Sequence, residues 1–203
     1  MTNDMQASDD SNLDFPLRIR SPKAWVDHVM ANFDTFLLDH AAAEKKASGM
    51  AISMISHYPD RTRLVDQMAD LAVEELVHYK EVIKVIHDRG LQLAADSKDD
   101  YVNSFRQHMR KGSEFYFLDR LIIGGIIEAR GAERFGLIAD ALEPGRLKNM
   151  YKAIANSEKR HYRLFIELAE CYFDKNLVNA RAEQLLDAEK DIMLAQPIQA
   201  KLH

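Results

Sequence analysis

Cysteine is almost absent from this sequence of 203 residues: Cys171 stands alone. A single thiol excludes an intramolecular disulfide framework and every Cys-x-x-Cys zinc or iron site, and it points to a reducing, cytoplasmic compartment. Breakers are scarce as well. There are only 8 glycines and 5 prolines, the prolines lie far apart, and the long stretches between breakers favour helices over short strands. The longest wholly apolar run, "LIIGGII" at 121–127, is too short to span a bilayer. The acidic opening "MTNDMQASDDSNLDF" has no apolar segment of the signal-peptide kind, so the expectation is a soluble protein. A formal charge of −5 excludes a global attraction for nucleic acid, so any such binding needs local patches.

What remains reads as helix. Residues 1–20 are expected to be a tail, 21–195 a single domain and 196–203 a second tail. Ser21-Pro22 suits a helix opening, with Ser21 as N-cap, and periodicity then runs to His57 with a break near Asn32. Asp60 is placed to cap a second helix that ends at Gly90. A looser segment holds a short helix around 99–110, and "KGSE" opens a third long helix to about 142. A fourth runs from about 145 to 173, and a charged amphipathic stretch follows from about 175 to 194. No strand-like alternation competes, so the fold class is all-α: a four-helix bundle with additional peripheral helices and a long connection between its halves.

The apolar stripes of the four long helices carry charge. Glu44 falls among Phe33, Phe36, Leu37, Ala41, Ala47, Ala51, Ile52 and Ile55. Glu75 and His78 occupy the face marked by Leu64, Met68, Leu71, Val82 and Ile86, with Glu74 rotated off it. Glu128 sits among Phe117, Leu121, Gly125, Ala132, Phe135 and Leu142, and Glu158 with His161 among Leu147, Tyr151, Ile154, Phe165, Leu168 and Tyr172. An isolated carboxylate in a core would neutralise rather than stay charged, and the stripes offer no lysine or arginine. Two divalent cations would balance four carboxylates and leave the imidazoles neutral.

Spacing supports the same reading. "ELVH" at 75–78 and "EKRH" at 158–161 are both Glu-x-x-His, and each follows a lone helix glutamate, by 31 positions from Glu44 and by 30 from Glu128. This doubled set matches the ferritin-like carboxylate bundles that hold two iron or manganese ions, so the expected architecture is a ferritin-like four-helix bundle with additional peripheral helices. His40, Tyr79 and Tyr162 stand near enough in sequence to support the ligands, although a hydrogen-bonded core histidine explains His40 equally and packing beside the core explains the tyrosines better. Glu81, Glu133 and Glu167 read as solvated charges, and Cys171 as a small core residue. Oxygen and nitrogen donors without thiolate suit two iron ions (Fe2+/Fe3+), with manganese second. A ferrous pair in an apolar bundle is suited to reducing O2, and without a flavin or nicotinamide fingerprint the electrons need a separate reductase.

Basic residues gather locally. Arg106, His108, Arg110 and Lys111 precede the aromatic run Phe115-Tyr116-Phe117. Arg146, Lys148, Lys152, Lys159, Arg160 and Arg163 face one acid, Glu158, and Arg18, Arg20 and Lys23 form a third group. Such patches hold a phosphate backbone or are simply solvated.

Four stretches together, "SPKAWVDHVMANFDTFLLDHAAAEKKASGMAISMISHYPDR", "LAVEELVHYKEVIKVIHDRG", "LIIGGIIEARGAERF" and "SEKRHYRLFIELAE", resemble the MiaE family of tRNA hydroxylases. The resemblance spans about Leu17 to Leu194. It implies a non-haem di-iron monooxygenase that hydroxylates the isopentenyl group of 2-methylthio-N6-isopentenyladenosine beside the tRNA anticodon. Its metal positions would be Glu44, Glu75, His78, Glu128, Glu158 and His161. The anticodon stem-loop would lie on a basic rim, expected at Arg106, Arg110, Lys111, Arg146, Lys148 and Lys152. No extra apolar face marks an oligomer interface, so a monomer is the expectation. The alternatives are a ferritin-like di-metal oxidase or peroxidase handling iron or peroxide, and a non-catalytic helical RNA-binding protein.

Overall fold

The computed structural model describes residues 16–203, so the acidic opening and most of the expected first tail lie outside the described residues. The described chain holds α1 (Lys23–Ala31), α2 (Phe33–His57), α3 (Thr62–Asp88), α4 (Asp100–Arg106), α5 (Ser113–Ala141), α6 (Arg146–Tyr172) and α7 (Lys175–Ala195). Short loops turn α2 into α3 and α5 into α6, and these two hairpins form the bundle. The segment 91–112, which includes α4, crosses between them. Helix α7 packs on α5 and α4, and α1 lies against α5.

The helix ends show which local signals operate. Asn32 breaks the first long helix as expected, its side-chain amide donating to the His28 carbonyl at 2.9 Å. Gly90 ends α3 with φ of 73°, and the bonds from Gly90 N to His87 O and from Leu91 N to Ile86 O complete a left-handed cap. Two expected caps are overturned. Ser21 caps nothing: its N–H and hydroxyl both donate to Glu133 instead. Asp60 caps nothing either, and the Leu64 N–H in the first turn of α3 donates to the Tyr172 hydroxyl at 3.1 Å. Tertiary partners outcompeted the local ones in both cases.

Several burial expectations change for the same kind of reason. Ile52 is 52% exposed, because the buried face of α2 runs through Ser48, Ala51 and Met54. Cys171 is exposed rather than in the core. Cations do lie in the interior: Arg130 and Arg134 on α5 are buried. Arg130 donates to Glu189 (2.8 Å), Glu133 (3.0 Å) and the Ile19 carbonyl (3.0 Å), so Glu133 is no solvated charge. Arg134 reaches the Ser21 hydroxyl and the Leu202 carbonyl, and stacks over Trp25. The expected tails also pack. Leu17 is buried, Ala200 and Leu202 join the core beside Trp25, and His203 stacks on Tyr101 and meets Asp99 at 3.3 Å. No helix among the described residues is long and apolar enough to cross a membrane.

Candidate metal centre

The bundle brings all six sequence-selected ligands to one place. Glu44 comes from α2, Glu75 and His78 from α3, Glu128 from α5, and Glu158 and His161 from α6, and all six are buried. Their ligand atoms form two overlapping groups, each within 4.8 Å: Glu44, Glu75, His78 and Glu158, and Glu75, Glu128, Glu158 and His161. Glu75 and Glu158 belong to both, so the glutamates of the Glu-x-x-His pairs sit where they could bridge two cations. Glu44 and Glu128 stand at the outer ends.

The donors point inward without satisfying one another. His78 Nδ1 lies 3.5 Å from oxygens of Glu44 and Glu75. His161 Nδ1 lies 2.9 Å from Glu75 and 3.7 Å from Glu128. Yet Glu75 Oε1, His78 Nδ1, Glu158 Oε1 and His161 Nδ1 are buried with no hydrogen bond. Buried polar atoms are nearly always paired, so four orphans on one small volume mark a site for a ligand of opposite charge.

The electrostatics agree. Burial pushes the Glu44 and Glu158 carboxyls up, and Glu128 and Glu75 push Glu158 further. Burial also opposes ionisation of Glu75, but His161 and His78 outweigh it and hold that carboxyl below the usual range. Burial would lower His78, yet Glu44 and Glu75 raise it to about 10, and His161 is likewise raised by Glu128, Glu158 and Glu75. Four carboxylates therefore compete for the positive charge of two imidazoles, a deficit that two divalent cations would remove. The buried carboxylate and histidine cluster is compatible with a di-metal site.

The remaining expectations separate. His40 supports the cluster: its Nε2 lies 2.6 Å from Glu44 and its Nδ1 3.2 Å from the Tyr151 hydroxyl. Tyr79 packs near Leu37, Ala41 and Val82, and Tyr162 against the larger core. Glu74 is off the apolar face, as its register requires, but it reaches His161 Nε2 at 3.1 Å.

A cavity of about 520 Å³ opens from the solvent down to Glu44, Glu75, Glu128 and Glu158. Its walls include Ala43, Ala47, Met50, Ile127 and Phe135, and its mouth carries Lys46, Lys98, Arg106 and Arg120. Of the basic residues expected at a rim, only Arg106 lines it. Arg110 is tied to the buried Asp119 at 2.7 Å, with Arg181 on the same carboxylate at 2.8 Å. Lys148 caps the end of α5 by donating to the Leu142 carbonyl, Lys152 borders a second cavity, and Lys111 and Arg146 are exposed away from the mouth. Lys46, Lys98 and Arg120 escaped the sequence because they come from three separate segments.

Residues 11–203 match the model of the family described as tRNA-(MS[2]IO[6]A)-hydroxylase (MiaE). The chain belongs to this family. A relative from Pseudomonas putida, named tRNA 2-(methylsulfanyl)-N(6)-isopentenyladenosine(37) hydroxylase, is 32% identical over 183 residues, which cover 90% of this chain and 89% of its own. A Salmonella typhimurium protein of the same name is 28% identical over 165 residues, 81% of this chain and 60% of the relative. Among solved structures, Protein 43 from Synechococcus, described with aldehyde deformylating oxygenase activity, superposes with a TM-score of 0.86 at 32% identity, covering 92% of this chain and 94% of its own. The MiaE chain is thus a tRNA-hydroxylase family member on a ferritin-like all-helical scaffold.

Proposed function

We propose that this MiaE chain is a di-iron monooxygenase acting on 2-methylthio-N6-isopentenyladenosine in a tRNA anticodon loop. The observation that carries the reading is one cavity that combines a carboxylate floor, apolar walls and a cationic mouth. Glu44, Glu75, His78, Glu128, Glu158 and His161 would hold two iron ions, which when bound supply the reduction of O2 that unactivated C–H hydroxylation needs. Overall, one C–H bond becomes C–OH, the second oxygen atom leaves as water, and a separate reductase supplies two electrons with two protons.

The chain's own residues do the rest. Ala43, Ala47, Met50 and Ile127 give the prenyl group an apolar path and keep bulk water from the floor. Lys46, Lys98, Arg106 and Arg120 hold phosphates of the stem-loop outside, while the modified base splays out of its loop to enter. This mouth replaces the rim expected from sequence. His40, braced by Tyr151, fixes the outer carboxylate of Glu44.

The test is aerobic turnover of iron-loaded protein with a chemical reductant and tRNA bearing the modified adenosine, followed by mass spectrometry of the nucleosides. A gain of one oxygen that requires iron and O2 is the expected result. The same protein is incubated with a long-chain aldehyde, because the Synechococcus neighbour carries aldehyde deformylating activity and an apolar cavity would admit that substrate. Aldehyde consumption without change in the tRNA would replace the proposal. Inertness toward both, in protein holding two irons, would favour a peroxide- or iron-handling bundle, and failure to bind iron a non-catalytic RNA-binding role.

A further inference from the structure

The two Glu-x-x-His motifs differ in the residue just before them: Glu74 precedes the first and Ser157 the second. Glu74 lies on α3 but serves a histidine on α6. Its Oε2 sits 3.1 Å from His161 Nε2, and its Oε1 accepts from the Ser157 hydroxyl and from Arg160 Nη2 at 2.7 Å. The Arg160 guanidinium also donates to Ser157 Oγ at 3.1 Å, so the carboxylate is held from two sides. His161 Nδ1, the other ring nitrogen, is the orphan that faces the cluster. A proton fixed on Nε2 leaves the Nδ1 lone pair free, which is the tautomer a cation requires.

His78 has no such support. Its Nδ1 faces the cluster in the same way, but among the described residues no side chain bonds its Nε2. Ser157, at the position equivalent to Glu74, turns toward Glu74 and lies 3.4 Å from His161 Nε2, so it joins the support of His161 instead of bracing His78.

We propose that Glu74 is a positioning residue that orients and polarises His161, so that the two cation positions of the cluster are unequal. The inference rests on the di-metal reading above. The position built from Glu75, Glu128, Glu158 and His161 holds its ion more tightly, and the position with His78 releases first. A carboxylate behind a ligating imidazole raises its donor strength, and loss of such a partner costs about 10- to 100-fold in metal affinity.

The experiment loads wild type, Glu74→Ala and Glu74→Gln with Fe(II) anaerobically and follows capture by a ferrous chelator in stopped flow. Asp70→Asn, an exposed change one turn earlier on α3, is the control. Wild type and control should release one iron fast and one slowly. Glu74→Ala should accelerate the slow phase about 10- to 100-fold and leave the fast phase unchanged, an asymmetry that a general loosening of the bundle would not produce. Glu74→Gln keeps the shape but not the charge, so it should move the slow phase in the same direction by less. Should Glu74→Ala fail to fold, Glu74→Gln decides, and an unchanged slow phase overturns the proposal. Release of both irons from wild type in one phase overturns it too. Two bound irons with indifferent Glu74 variants refute this inference alone, whereas wild type that retains no iron refutes the di-metal reading with it.

Discussion

Replacing Arg130 with methionine tests whether the polar interior beside the candidate centre holds the bundle together. The guanidinium and the Glu189 carboxylate are both fully buried, 2.8 Å apart, and Tyr101 donates to the same oxygen at 3.1 Å. Glu189 Oε2 has no hydrogen bond, so the carboxylate depends on Arg130 for most of its compensation. Met fills comparable volume, so the loss comes from the stranded charge rather than from a cavity. Breaking a buried pair in this way costs about 3–5 kcal/mol. For a chain of this size each kcal/mol shifts Tm by about 2–4 °C, giving a fall of roughly 6–20 °C. Thermal and urea unfolding followed by circular dichroism would measure it. A double variant, Arg130→Met with Glu189→Met, should recover at least half of the loss, because removing both charges also removes the desolvation cost. A single-variant loss below about 1 kcal/mol, or a double variant as unstable as the two singles combined, would refute the reasoning.

Four further outcomes follow from particular contacts. Glu75 is shared by both ligand groups whereas Glu128 belongs to one, so Glu75→Ala should lower iron stoichiometry from two toward none and Glu128→Ala toward one, as read by metal analysis of folded protein. At the cavity mouth, Lys46→Ala and Arg106→Ala should each weaken tRNA binding and reduce the slope of log K against log salt by about one. Arg110→Ala should instead lower stability, because it strips a partner from the buried Asp119. Asp99 gives a pH test: burial would raise its carboxyl, but His203 and the Val102 N–H outweigh burial and hold it at about 2. A depressed carboxylate contributes stability that is complete above its unfolded value near 4 and fades as pH falls through about 2. Asp99→Asn keeps the α4 cap and should therefore lose about 2 kcal/mol at neutral pH, with the gap to wild type closing in acid.

The six cluster residues were legible because two periodicities coincide on them. Helical spacing puts each glutamate on an apolar face, and the Glu-x-x-His pairs recur at matched intervals, so few other arrangements satisfy burial and charge together. Helix boundaries were legible to within a few residues where Gly90 or Asn32 act locally. They were not where a distant group intervenes, as Glu133 does at Ser21 and Tyr172 at Leu64. Glu74 was invisible for a related reason. Its register correctly places it off the stripe, and only the approach of α6 gives it a partner. The cationic mouth is similar, since Lys46, Lys98 and Arg120 become neighbours only when the crossing segment lies over α2 and α5.

The pseudo-repeat also shows where the halves part company, and that break coincides with the cavity. Four residues before Glu44 stands His40, whose ring packs 4.5 Å from Phe135 and closes that side of the cluster. Four residues before Glu128 stands Gly124, which lines the cavity. A Cβ there would sit 2.9 Å from the Phe165 ring, so glycine is what lets that ring lie against α5. Gly124→Ala sets two effects against each other. Helix propensity favours alanine by about 1 kcal/mol, while forcing a fully buried ring to shift costs about 1–3 kcal/mol. The net expectation is a loss of about 0–2 kcal/mol, with iron content unchanged because no ligand moves off its helix face. Hydroxylation should suffer more than stability does, since Gly124 itself lines the cavity and the repacking around its new methyl alters that wall. Wild-type turnover in a Gly124→Ala protein of lowered Tm would show that this wall does not shape the route to the cluster.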